Sequence, residues 1–357
     1  MNRRIRKPKS KRIFLAILGL SFVTLTTVLI GPRLTELILG PPDFSGPGNG
    51  NVQIEILQGD SIAKIGNTLK SAGVVKSVDA FTLAASNNPD SGKISPGFYS
   101  MLLEMKAKDA ILRLLDPTSK VVTKVTIPEG KRASDIFELI SNETSIPISD
   151  FEAIAADPAQ LPLPEYANGN LEGFLFPATY EFPPGTTALT ALTSMVEKYN
   201  SVAKQLDLEA SSASIGMSTY EILTIASLLE VEGHPNDFAK VSRVVYNRLN
   251  LPMKLEFDST VNYGLGRKDV LISGDLLAQD NPYNTYKNFG LPPTPIGNPG
   301  IAAIDAALNP DQGDWIFFVT TNLTTQETKF TSSYSQFLIW KDEFLAYCKQ
   351  NPDTCYK

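Results

Sequence analysis

Residues 218–235 read STYEILTIASLLEVEGHP and predict a helix that is buried on most sides. Apolar residues fill almost every position of 222–229, so this helix has little polar face. Ser218 followed three residues later by Glu221 has the pattern of an N-terminal capping box, and Gly233 predicts the end of the helix. The stretch therefore predicts an element around which other elements pack.

Glu230 lies at the end of this apolar run and is the leading candidate for catalysis. Spacings of three and four place Leu223, Ala226 and Glu230 on one helix face. Desolvation by that face raises a carboxyl pKa toward the value that a general acid needs near neutral pH. Glu232 lies about 200° further round the helix, so it cannot face the same cleft. The alternative is that both glutamates are solvated at a helix end.

Polar and aromatic residues are frequent in the segments that follow. Residues 241–249 have helical apolar spacing, and we interpret 255–264, 281–286 and 290–300 as loops. Aromatic rings cover the apolar faces of sugars and amides bind hydroxyls, so these segments are compatible with a carbohydrate site. The alternative is ordinary loop packing and, for Asn247, an ordinary helix C-terminus.

A strand–turn–helix–helix pattern occurs twice before the buried helix. We favour a duplicated α+β module, with its copies in residues 51–124 and 125–165. A further strand is expected to close each copy, near residues 94–99 and 171–177, and 186–217 then predict more helix. The alternative is chance similarity between two short segments.

The second helix of each copy has an acidic residue at its predicted start. These residues are Asp79 and Asp150, which lie 71 positions apart. An aspartate before an apolar helical run is a frequent N-cap, so we interpret both as N-caps.

The N-terminus has the pattern of a membrane anchor. Residues 1–12 contain seven basic residues and no acidic one, and they form the predicted cytoplasmic tail. Residues 13–31 form the predicted transmembrane helix, whose uncharged part is about 27 Å long and close to the thickness of the hydrocarbon core. The Gly- and Pro-rich residues 32–50 are a linker. The alternative is a cleaved signal peptide, but the apolar core is long and 31–34 make a poor cleavage site.

Composition excludes some classes of function. The 357 residues are 43% hydrophobic and 20% charged, which favours a folded chain of two or three domains. The net charge is −6, and without the basic tail it is −13, which argues against nucleic acid as a ligand. A single histidine, His234, argues against a His-based metal site. Cys348 and Cys355, in the C-terminal tail 348–357, form either a small disulfide or two free thiols.

A set of motifs resembles the endolytic murein transglycosylases of the YceG-like (MltG) family. The matching segments follow the family's order, and together they are specific: Leu171-Glu172-Gly173, Phe176-Pro177, Thr179-Tyr180, Ala226-Ser227-Leu228-Leu229-Glu230, Val245-Tyr246-Asn247-Arg248-Leu249, Asp258-Ser259-Thr260-Val261-Asn262-Tyr263-Gly264, Tyr283-Asn284-Thr285-Tyr286, Gly290-Leu291-Pro292-Pro293, Ile296 and Asn298-Pro299-Gly300. The resemblance covers about residues 50–345.

The resemblance implies a membrane-anchored lytic transglycosylase with an α+β fold. It implies a LysM-like module at 51–124 and a mixed α+β catalytic domain at 125–347, on the outer face of the cytoplasmic membrane. Such enzymes cleave the bond between N-acetylmuramic acid and N-acetylglucosamine in nascent strands, leaving 1,6-anhydro ends without metal or organic cofactor. The implied partners are glycan strands, the membrane and peptidoglycan synthases.

The resemblance also assigns site residues. The catalytic glutamate of the family lies in an Ala-Ser-x-x-Glu element, which here ends at Glu230. The family commonly continues with Lys-Glu, whereas this chain has Val231-Glu232. The substrate-binding candidates are Asn247, Tyr263, Tyr283 and Asn284. The supporting candidates are Glu172, Asp258 and Glu232.

Two other functions stay open at this point. A hydrolytic glycosidase needs a second carboxylate, Asp258 or Glu172, about 5–10 Å from Glu230. A non-catalytic envelope scaffold would bind glycan or other proteins through the repeated module and would not need Glu230.

Overall fold

The chain combines short strands with a larger number of helices, which gives an α+β architecture. The computed structural model describes residues 40–267 and 274–355. Within those ranges the strands form three separate two-stranded antiparallel sheets. The chain divides into two compact units, and the boundary falls between Val122 and Thr123.

The first unit is built on one strand pair. Its elements are β1 (Asn49–Ile56), α1 (Ile62–Ser71), α2 (Val78–Ser86), β2 (Gly97–Leu103) and α3 (Ala107–Leu115). β1 pairs with β2, with Ile54 opposite Tyr99. Both side chains are buried and share a core with Leu69 and Phe81. β2 begins within the segment predicted to close this module.

The second unit begins with the same order of elements. These are β3 (Thr123–Thr126), α4 (Ala133–Thr144), α5 (Ile148–Ala156) and β4 (Thr179–Phe182), followed by α6 (Ala188–Gln205) and α7 (Leu208–Ser214). β4 pairs with β3, with Tyr180 opposite Val125. The closing strand therefore begins just after the predicted segment 171–177. The predicted helical stretch 186–217 is two helices, because Asp207 adopts a left-handed φ of 46° between them.

The predicted buried helix is confirmed. The helix α8 (Thr219–Glu232) is buried at every position of 222–229 and lies in the largest core of the unit. The Ser218 side chain accepts the Glu221 N–H, and the Glu221 carboxylate accepts the Ser218 N–H, so both halves of the capping box form. Gly233 is the C-cap, as predicted.

The remaining elements form the C-terminal part, and α9, α10 and α12 pack directly against α8. They are α9 (Phe238–Asn250), α10 (Asp258–Gly264), α11 (Gly274–Leu277), α12 (Ile301–Leu308), β5 (Phe317–Asn322), β6 (Glu327–Thr331), α13 (Tyr334–Gln350) and α14 (Pro352–Cys355). The prediction that 255–264 is a loop is wrong for its second half. An acidic residue in the first turn favours helix, and Asp258 supplies it, while Thr260 and Val261 are buried against the core.

The two cysteines are bonded, so the disulfide is the correct alternative. Cys348 in α13 and Cys355 in α14 form it, and both residues are fully buried. Among the described residues, none of the helices has the length and apolar character to cross a membrane. The predicted tail 1–12 and membrane segment 13–31 lie outside the described residues.

We expect Ser218→Ala to lower the free energy of unfolding by about 1 kcal/mol, because the Glu221 N–H loses its capping acceptor. Chemical denaturation measures this loss. Ser201→Ala is the matched control, since Ser201 is an exposed residue inside α6, and its effect should stay within about 0.5 kcal/mol. Equal effects of the two substitutions would show that the cap contributes nothing.

Candidate active site

The site begins where α8 leaves the core. Glu230 is the first residue after the buried run and is half-buried. Its Oε1 accepts the backbone N–H of Gly300 at 2.9 Å, and Gly300 is the N-cap of α12. The carboxyl group is therefore held by one strong donor and is shielded from much of the solvent.

Burial raises the pKa of Glu230 to about 7. The Gly300 N–H lowers this pKa because it stabilises the carboxylate, and the negative charge of Glu129 raises it. A carboxyl group with this pKa is partly protonated near neutral pH, so it can first donate a proton and then accept one. The predicted desolvation of Glu230 is thus confirmed.

Two glycine-containing loops meet beside Glu230. Gly130, between β3 and α4, has a φ of +74°, and its N–H donates to the Asn298 carbonyl at 2.8 Å. A Cβ atom on Gly297 would lie 2.6 Å from the Gly130 carbonyl oxygen. The loops therefore contact each other through their main chains, and Gly297 has no room for a side chain.

The side chain of Asn298 connects three segments of the unit and is fully buried. Its Oδ1 accepts the N–H groups of Gly173 and Leu175 at 2.9 and 2.8 Å. Its Nδ2 donates to the Lys131 carbonyl at 2.9 Å and to Glu172 Oε1 at 2.8 Å. We call these five residues the Asn298 network. All hydrogen-bonding capacity of the amide is used, which fixes the loop that carries Gly300.

Glu172 is a buried member of this network. Besides Asn298, the Ala133 N–H donates to its Oε1 at 3.0 Å, and the Tyr263 hydroxyl donates to its Oε2 at 3.0 Å. Burial raises the pKa of Glu172 to about 7, while the hydrogen bonds from Tyr263 and Ala133 and the positive charge of Arg132 lower it. A carboxyl group with three donors is a structural anchor, and its side chain is too enclosed to reach a ligand directly.

Glu232 and Asp258 form a separate acidic pair. Burial raises the pKa of Glu232 to about 7, Ser259 lowers it, and the charge of Asp258 raises it. Asp258 Oδ1 accepts the Tyr286 hydroxyl at 2.6 Å. The neighbours of Glu232 are thus different from those of Glu230, as the helical spacing predicts.

Two of the predicted substrate-binding residues lie together. The rings of Tyr263 and Tyr283 are 4.9 Å apart, and the Arg132 guanidinium lies 5.1 Å from the Tyr263 ring. Tyr263 reaches Glu172, and the Tyr283 hydroxyl pairs with Thr294 at 2.9 Å. Both tyrosines are half-buried.

The other two predicted residues hold the main chain. Asn247 Nδ2 donates to the carbonyls of Gly313 and Trp315 at 3.1 and 2.8 Å. Asn284 is fully buried, and its Nδ2 donates to the Leu277 and Gln279 carbonyls. Both side-chain amide nitrogens donate to backbone carbonyls and to neither Tyr263 nor Tyr283. Their binding of substrate stays a prediction.

Sequence reasoning misses Glu129 and the anchoring role of Asn298. Pro128-Glu129-Gly130 directly after a strand marks a turn, but nothing in the sequence brings that turn to Glu230, about one hundred residues later. Asn298 stands out in the sequence only as part of a Gly- and Pro-rich loop. Within the described ranges, no group of three or more His, Cys, Asp or Glu residues is arranged to hold a metal ion.

Comparisons with known proteins identify similar chains. The model of the YceG-like family matches residues 54–342. The "Endolytic murein transglycosylase" of Bacillus subtilis is 32% identical over 312 residues, which cover 83% of this chain and 85% of that protein. The protein of the same name from Streptococcus pneumoniae R6 is 32% identical over 305 residues, 75% of this chain. The chain spans 54% of the pneumococcal protein's length.

A solved structure is also similar. The crystal structure of a YceG-like protein from Listeria monocytogenes superimposes with a TM-score of 0.55 at 28% sequence identity. The match covers 82% of this chain and 99% of the Listeria chain.

We expect Asn298→Ala to lower the free energy of unfolding by about 2–4 kcal/mol, because it leaves several buried partners of the Asn298 network without a hydrogen bond. Urea denaturation measures this change. Asn309→Ala is the control, because Asn309 is exposed and its side chain bonds to Asp305, one helical turn earlier. A loss below about 1 kcal/mol for Asn298→Ala would contradict the anchoring role.

Proposed function

Because the chain belongs to the YceG-like family, we propose that it is an endolytic peptidoglycan lytic transglycosylase with Glu230 as its general acid and base. The observation that carries this proposal is the environment of Glu230. Its carboxyl group is half-buried at the end of a buried helix, is held by the Gly300 N–H and has a pKa of about 7. One such group suffices for a reaction that consumes no water.

In the proposed reaction the protonated Glu230 donates its proton to the oxygen between N-acetylmuramic acid and N-acetylglucosamine, and the C1–O bond breaks. The muramyl 6-hydroxyl attacks C1 and closes a 1,6-anhydro ring. The carboxylate of Glu230 accepts the proton of that hydroxyl, so the enzyme returns to its starting state. Acid–base help of this kind contributes about 10²–10⁴ to a rate. The products would end nascent glycan strands.

We propose that Tyr263 and Tyr283 hold the glycan. Their rings are adjacent and half-buried, which suits stacking on a sugar face. Glu172 supports Tyr263 by accepting its hydroxyl hydrogen. Asn247 and Asn284 support the site less directly, through the main-chain segments that they bind.

The hydrolytic alternative predicts Asp258 or Glu172 as its second carboxylate, and both groups are occupied. Glu172 accepts three hydrogen bonds and is buried, and Asp258 binds Tyr286 and lies near Glu232. The three donors and the burial of Glu172 argue against its activating water or attacking a sugar.

The remaining parts of the chain suit the same role. We propose that residues 13–31 anchor the protein in the cytoplasmic membrane with the tail 1–12 inside, and that residues 51–124 form a LysM-like module. The strand–helix–helix–strand order of the first unit supports this module, and the Gly- and Pro-rich linker would separate it from the membrane. Peptidoglycan synthases are the proposed partners, since they produce the nascent strands.

We expect Glu230→Gln to reduce the formation of anhydromuramyl ends by about 10²–10⁴-fold, because the amide cannot supply a proton. Mass spectrometry of digests of purified glycan strands measures these ends. The amide is isosteric, so thermal unfolding should change little.

Glu232→Gln is the matched control, since it alters the other glutamate at the same helix end and should retain most of the activity. Loss of activity in Glu232→Gln with retention in Glu230→Gln would reverse the assignment. Reducing ends in the wild-type products would support the hydrolase instead. Full complementation in cells by Glu230→Gln would support the scaffold.

We expect a chain that lacks residues 1–39 to leave the membrane fraction while keeping its activity on soluble glycan strands. The predicted anchor is absent from this variant, and the catalytic unit is intact. Cell fractionation with immunodetection measures the distribution. A truncated protein that remains with the membrane would contradict the proposed anchor.

A further inference from the structure

We propose that Glu129 is a positioning residue of this site: its carboxylate, held against Gly300 beside Glu230, keeps the proton on the catalytic acid. The inference rests on the proposed function and extends it to a residue outside the predicted motifs. Glu129 belongs to the loop between β3 and α4, which takes no part in the steps of the proposed reaction.

The position of Glu129 is determined by contacts of the neighbouring main chain. The next residue, Gly130, donates its N–H to the Asn298 carbonyl, and Asn298 donates its own N–H to the Lys131 carbonyl at 3.0 Å. These two bonds fix the loop on both sides of Gly130. The Glu129 side chain then lies directly against Gly300, because a Cβ atom at position 300 would overlap its carboxylate.

Gly300 is the residue whose N–H binds Glu230, so two carboxyl groups lie around one glycine. Standard bond lengths and contact distances put these groups within about 7 Å of each other. Glu129 itself is exposed, whereas Glu230 is half-buried. Shielding from solvent disfavours the charged form of Glu230, so the proton is kept on that group.

The other charged groups on the neighbouring segments have partners of their own or, like Lys131, are exposed. On its own helix, Glu232 interacts with Ser259 and Asp258. On the β3–α4 loop, the Arg132 guanidinium lies over Tyr263 and donates to the Arg267 carbonyl, and Lys131 follows Gly130 in the chain. Residues 296–300 carry no charged side chain. The charge that acts on Glu230 is that of Glu129, and it raises the Glu230 pKa.

The sign of the effect follows from Coulomb repulsion. Ionised Glu129 disfavours a second negative charge nearby, so Glu230 stays protonated up to a higher pH. The enzyme loses its acid when Glu230 deprotonates, which gives the alkaline limb of the pH profile. Because Glu129 is exposed, salt should screen its influence, and the limb should move to lower pH as ionic strength rises.

The experiment measures kcat/KM for release of anhydromuramyl ends from purified glycan strands as a function of pH. In Glu129→Gln we expect the alkaline limb to move down by about 0.5–1 pH unit, with a smaller dependence on salt than in the wild type. Glu129→Asp keeps the charge and should keep the limb within about 0.3 unit of its wild-type position. Glu152→Gln removes an exposed acid on α5 and should leave the profile unchanged.

Gly300→Ala tests the contact independently. Its φ of −81° suits alanine, and its N–H is retained, but the new methyl group must displace the flexible end of the Glu129 side chain. We expect the same downward shift of the limb in Gly300→Ala. In the Glu129→Gln background the added methyl group should cause no further shift.

A Glu129→Gln profile that superimposes on the wild-type profile at low salt overturns the inference, whatever its rate. A uniform loss of rate with an unmoved limb shows a merely structural role and overturns it as well. Both outcomes leave the proposed function intact as long as Glu230→Gln is inactive. Activity in Glu230→Gln would instead remove the proposed function. Reducing ends that disappear in Glu129→Gln would show Glu129 acting as the second carboxylate of a hydrolase, which contradicts both.

Discussion

The buried amide of Asn298 is the interaction on which the arrangement of the site depends. It binds two N–H groups of the 171–175 segment, one carbonyl of the β3–α4 loop and the carboxylate of Glu172. Each partner belongs to a segment that is irregular and would otherwise leave buried polar groups unpaired, at a cost of about 1–3 kcal/mol for each group. The Asn298 side chain thus provides hydrogen-bond partners for several segments, and these bonds fix the position of the loop before α12. That position brings the Gly300 N–H to Glu230.

The end of α8 shows how one helix gives two carboxyl groups different environments. Glu230 and Glu232 are two residues apart, and burial raises both pKa values to about 7. Their partners differ, since one meets a backbone N–H of Gly300 and the other meets Ser259 and Asp258. Helical geometry turns side chains two positions apart to different sides of the axis. Desolvation alone therefore does not distinguish the two glutamates. The difference between them lies in the loops that their carboxyl groups contact.

The elements that could be predicted from the sequence are those whose limits are set by residues close by in the chain. Much of the site instead depends on contacts between residues that are far apart in the sequence. The limits of α8 follow from its capping box and its terminal glycine, whose effects reach only a few residues. Local signals can also mislead, and the prediction that Asp79 and Asp150 are N-caps is wrong. The N-caps are Ser77 and Pro147, and both aspartates lie in the first turn of their helices. An acidic residue is favourable at either place, so the sequence pattern does not distinguish them. The contact of Glu129 with Gly300 joins positions 171 residues apart and depends on hydrogen bonds made in the folded chain. Asparagine amides bind backbone carbonyls as readily as sugars, so composition shows which groups are available, and only the fold shows which are already occupied.

The contact between Gly130 and Gly297 has a consequence for how precisely the acid is held. Side chains can change rotamer, but two main chains in direct contact have no such freedom, so the separation of these loops is set by atomic radii alone. Thermal motion of neighbouring side chains should then be transmitted only weakly to the proton-bearing group. The main chain around Glu230 is therefore a rigid part of the structure.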